Sequence, residues 1–145
     1  MQSRLMFPDR LLGPEEMTDR SRAAILIVDD QPKTRMLIRT SLRQIGYPEM
    51  AEAGDGEDAL RVLSKRQIRL IISGVEMPKL DGIGLLTAVR SNPTLKIVPF
   101  IFITSRAEAA LVKQAKELGV SGFLVKPFAL GPLKQRVEAA IGPSG

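Results

Sequence analysis

The chain has 145 residues, 44% of them hydrophobic and 26% charged, a balance that suits one ordinary globular domain. It contains no cysteine and no histidine, which excludes disulfides, thiol nucleophiles, histidine-based catalysis, a phosphohistidine carrier role and most zinc chemistry. The net charge of +5 is scattered among Asp and Glu and only 4% of residues are aromatic, so platforms for stacking bases are scarce and nucleic acid is not an expected partner.

Residues 1–22 show no clear period. Pro8, Gly13 and Pro14 break any helix, and Glu15 and Glu16 are balanced by Arg20 and Arg22. The segment reads as a flexible N-terminal extension, with the folded domain expected over 23–145. Met1–Met6 is too short and polar for a signal peptide's apolar region, and no apolar run approaches the roughly 18 residues of a membrane span. A cytoplasmic protein without membrane contact is the expectation.

From Ala23 the pattern becomes regular. Ala24–Val28 is a short apolar run, as in a strand buried on both faces, and it ends in Asp29-Asp30. Pro32 suits the first turn of a helix and Gly46 its stop, with Ile38, Leu42 and Ile45 at helical spacing between them. Met50–Ala53 is a second, weaker strand, followed by the turn Gly54-Asp55-Gly56 and a short helix over Glu57–Lys65. Leu70–Ser73 is a third strand. Met77-Pro78 and Asp81-Gly82 mark a loop before a helix at Ile83–Arg90, which ends at Asn92-Pro93. Pro99–Ile103 is a fourth strand closed by Thr104-Ser105, and Ala107–Leu118 a helix stopped by Gly119. Phe123–Val125 is a fifth strand leading to Lys126-Pro127, and Leu130–Ile141 the last helix, with Leu133, Val137 and Ile141 every four residues.

Five strand–helix repeats imply an α/β fold with a parallel sheet covered on both faces. In such sheets the working site lies beyond the carboxyl ends of the strands. The candidate site residues are therefore Asp29, Asp30, Gly74, Thr104, Ser105, Lys126 and Pro127. Arg35, Arg39 and Arg43 recur every four residues on the first helix, as either a solvated face or a docking stripe for an acidic partner.

Ile27-Val28-Asp29-Asp30, Met77-Pro78 with Asp81-Gly82, Thr104-Ser105 and Lys126-Pro127-Phe128, in this order and on these loops, resemble the response-regulator receiver family. Gly46-Tyr47 and the run Asp55 to Leu60 resemble its CheY-like branch. The resemblance implies a flavodoxin-like (βα)5 three-layer sandwich with strand order 2-1-3-4-5. It also implies a single-domain receiver in two-component or phosphorelay signalling, not an enzyme. Such a domain takes a phosphoryl group from a phosphohistidine partner onto an aspartate, with Mg²⁺ neutralising the charge in transit.

Carried onto this chain, Asp29 and Asp30 are the acidic pair and metal ligands, joined by the backbone carbonyl of Glu76. Lys126 and Thr104 contact the phosphate, and Phe123 stands at the switching aromatic, read either as a switch or as core packing. The acceptor position, three residues before Met77, falls on Gly74, which carries no side chain to phosphorylate. One metal-binding carboxylate goes with it, so Mg²⁺ binding is expected to weaken. Ser73 should face the other side of its strand, and Glu76 either reaches the pocket rim or pairs with Arg106 or Lys126. Lys126-Pro127 is a candidate cis bond.

The expected function is that of a pseudo-receiver working by protein–protein contact. Its partners would be a histidine kinase, a phosphotransfer protein or a downstream effector, and it would be a monomer or weak homodimer. No DNA-binding output domain fits in the remaining residues, so output is expected through partners or a removed C-terminal region. Two alternatives stand beside it: a phosphorylatable regulator whose acceptor was substituted, and a small ligand-binding or enzymatic domain on the same loops.

Overall fold

The computed structural model describes residues 24–143, so the extension expected over 1–22 lies outside the described residues. Along the chain, β1 (Ala24–Val28), α1 (Pro32–Gln44), β2 (Met50–Ala53), α2 (Gly56–Lys65) and β3 (Ile68–Ser73) come first. They are followed by α3 (Gly82–Ser91), β4 (Phe100–Thr104), α4 (Ala109–Glu117), β5 (Gly122–Val125) and α5 (Leu130–Ile141). The strands form one five-stranded sheet in the order β2-β1-β3-β4-β5, and every pairing is parallel. This is the 2-1-3-4-5 order of the flavodoxin-like fold.

Alternation along each strand sends side chains to opposite faces, and each face has its own core. Ile25, Ile27, Leu70, Ile72, Ile101 and Ile103 pack with Ile38 and Leu42 of α1 and Leu133 and Val137 of α5. Leu26, Val28, Ile71, Phe100 and Phe102 pack with Leu63 of α2, Leu85, Leu86 and Val89 of α3, and Ala115 of α4. The result is three layers, with two helices on one face and three on the other.

Local chemistry sets the helix starts. Asp55 and Asp81 cap α2 and α3, their carboxylates accepting from the backbone N–H of Asp58 and Gly84 at 2.8 Å each. Helix α4 starts at Ala109, two residues later than the apolar pattern predicts. Thr104 Oγ1 accepts from the Arg106 N–H at 3.1 Å, and Arg106 pairs with Glu108, holding 105–108 as a loop. Among the described residues no helix is long and apolar enough to cross a membrane.

Tyr47 ties the end of α1 to the end of α5. Its hydroxyl donates to the Gly142 carbonyl at 2.7 Å, and only 5% of the residue is exposed. Burial, reinforced by Glu138, pushes its phenol above the ordinary value of 10.0. Above that pH the unfolded chain loses the proton first while the fold retains it, so stability falls as pH rises through the tyrosine range. Tyr47→Phe is expected to cost about 1 kcal/mol at neutral pH and to flatten that alkaline slope in urea unfolding.

Candidate functional site

The loops after β1, β3, β4 and β5 converge on one pocket at the carboxyl end of the sheet. It is lined by Asp29, Asp30, Gln31, Gly74, Val75, Glu76, Ile103, Thr104, Ser105, Arg106 and Lys126. Strand register explains the meeting. Val28 pairs with Ser73, so Asp29 and Gly74 are the next residues out on neighbouring strands. The Gly74 N–H donates to the Val28 carbonyl at 2.8 Å, extending the ladder by one bond.

Asp29 is the buried acid, 4% exposed, while Asp30 is open to solvent. Asp29 Oδ1 accepts from the Gln31 N–H at 2.9 Å, and Oδ2 lies 3.7 Å from Lys126 Nζ. Arg35 Nη1 donates to the Asp29 backbone carbonyl at 2.6 Å. The Asp29 side chain leans toward Gly74: a Cβ built on that glycine would lie 2.7 Å from Asp29 Oδ2 and 3.5 Å from its Cγ. Glu76 is exposed at the rim, and neither of its proposed partners turns to it, because Arg106 pairs with Glu108 and Lys126 with Asp29. Ser73 is fully buried outside the pocket, its hydroxyl donating to the Gly74 carbonyl at 2.7 Å.

Phe123 belongs to β5 and does not line the pocket; its ring packs on Phe102 of β4, with centroids 5.6 Å apart. Lys126-Pro127 is cis. The arginine stripe of α1 divides. Arg35 and Arg39 both fold back onto Glu52 of β2, leaving Arg43 exposed. Residue spacing missed Arg35 as a support of Asp29, since its anchor Glu52 sits 17 residues away on another strand.

Comparison with known proteins agrees with this fold. The model of the response regulator receiver domain matches residues 25–138. A protein of Rhizobium etli named "Probable chemotaxis protein CheY" is 40% identical over 126 residues, covering 87% of this chain and 98% of that one. The crystal structure of Vibrio cholerae chemotaxis protein CheY4 superposes with a TM-score of 0.76 at 32% identity, covering 82% of this chain and 98% of that one. The receiver domain of a Pseudomonas aeruginosa sensor histidine kinase, solved with magnesium coordinated in its active-site cleft, gives 0.75 at 28% identity, covering 83% and 98%.

The chain belongs to the response regulator receiver domain family. It is a CheY-like receiver of two-component signalling.

Proposed function

We propose that this receiver signals by protein–protein contact without accepting phosphate, as a pseudo-receiver spanning residues 23–145, with 1–22 as an extension outside it. The observation that carries this reading is Gly74. It lies between the buried Asp29 and the Thr104–Lys126 loops, where the family motif places the acceptor, and it offers no oxygen to phosphorus. Asp29 and Asp30 are the inherited acidic pair, and Thr104 and Lys126 the inherited phosphate contacts. Thr104 Oγ1 is engaged by the Arg106 N–H, and Phe123 rests on Phe102, so both serve the fold as it stands. Partners fitting the family are a histidine kinase, a phosphotransfer protein or an effector.

Magnesium fits this donor set poorly. Mg²⁺ takes near-octahedral oxygen at about 2.0–2.1 Å and gives up water reluctantly. The pocket offers Asp29, Asp30 and the Glu76 carbonyl, but both oxygens of Asp29 already face protein donors. Among the described residues no three acidic or histidine side chains cluster as a metal site.

The reading is tested by intact mass after incubation with acetyl phosphate and MgCl2, in which the parent chain is expected to keep its unmodified mass.

A further inference from the structure

We propose that an Asp29–Lys126 ion pair fills the cradle beside Gly74 and takes the place of a divalent cation, so that the buried carboxylate is held and charge-balanced without metal. The inference rests on the reading of Gly74 as the substituted acceptor position. A methyl at residue 74 would meet Asp29 Oδ2 at 2.7 Å, closer than carbon and carboxylate oxygen pack without bonding. Beside any other residue the Asp29 carboxylate would have to shift; here it occupies room that a side chain would take.

A carboxylate only 4% exposed needs a compensating charge. Lys126 Nζ supplies it from 3.7 Å, reaching in from the β5 loop. The remaining Asp29 oxygen is satisfied by the Gln31 N–H, and the backbone carbonyl is fixed by Arg35, which Glu52 holds in turn. An entering Mg²⁺ would have to displace the lysine ammonium from Asp29 and turn the carboxylate away from Gly74. In return it would gain only exposed Asp30 as a second carboxylate.

Amide NMR titration with MgCl2 tests this, with NaCl at matched ionic strength as the control for screening. In the parent, the Asp29, Asp30 and Glu76 amides are expected to move no more with MgCl2 than with NaCl. Lys126→Met is expected to lower the urea midpoint and to acquire a saturable magnesium response that partly restores it. Lys126→Arg keeps the charge and is expected to stay insensitive to magnesium. A saturable response in the parent overturns the proposal, as does a Lys126→Met variant with unchanged midpoint and no response. Should Lys126→Met fail to fold, the parent and Lys126→Arg titrations decide. A magnesium response without phosphoryl uptake from acetyl phosphate removes the ion-pair inference alone, whereas phosphoryl uptake by the parent removes the reading of Gly74 itself.

Discussion

Gly82→Ala is expected to destabilise the fold by about 3 kcal/mol, read as a lower urea midpoint at unchanged slope. Gly82 opens α3 directly beneath the pocket. A Cβ there would run into the Gly74 carbonyl oxygen and would lie 2.7 Å from Phe102 Cε1 and 2.9 Å from Val75 Cα. Two of these three obstacles are backbone, and the third belongs to a fully buried ring, so no rotamer change relieves the clash. The start of α3 must instead back away from β3, breaking the bond from the Gly82 N–H to the Val75 carbonyl at 2.7 Å. Such a loss is a large share of the roughly 5–15 kcal/mol that holds a domain folded. Gly131→Ala is the control, because a Cβ at that helical position meets nothing within 4 Å. Equal losses at both positions would refute the steric account.

Phe102→Ala is expected to cost about 3–5 kcal/mol, the usual range for emptying a buried phenylalanine site. Phe102 has no exposed surface and lies edge-on to Phe100, with centroids 5.1 Å apart and planes at 68°. It also carries Phe123 at 5.6 Å and a 43° tilt. A double-mutant cycle with Phe123→Ala separates packing from switching. If Phe123 rests on Phe102, the two should couple by about 0.5–1.5 kcal/mol. Coupling near zero would mean that the Phe123 ring spends its time elsewhere.

The fold was legible because β1, β4 and β5 are short apolar runs with an abrupt polar end, whereas β2 carries Glu52 and reads weakly. Ala24–Val28 runs unbroken into Asp29, as a strand covered on both faces must. The pocket was legible for a topological reason: a parallel sheet delivers every strand's following residue to the same edge. Boundaries were less legible. Helix α4 starts two residues later than its apolar pattern suggests, since the Thr104 hydroxyl and the Arg106–Glu108 pair are local competitors that periodicity does not weigh.

The arginine stripe is the clearer lesson. Helical spacing puts Arg35, Arg39 and Arg43 on one side of α1, but only the sheet brings Glu52 beside the first two. A stripe that reads as either a solvated face or a docking surface has two of its three arginines tied back to the sheet, and Arg35 also steadies the Asp29 carbonyl. Nor does sequence convey that Asp29 leans into the room left by Gly74, because a rotamer depends on what the neighbouring strand lacks.

The measurement closest to the central claim is intact mass recorded promptly after incubation with acetyl phosphate and MgCl2, on the parent and on Gly74→Asp side by side. A Cβ at residue 74 is crowded closely only by Oδ2 of the Asp29 side chain, which can shift, so the variant is expected to gain a phosphoryl group while the parent stays unmodified. A phosphoryl increment on the parent would contradict the account, since some other side chain would then be serving as acceptor.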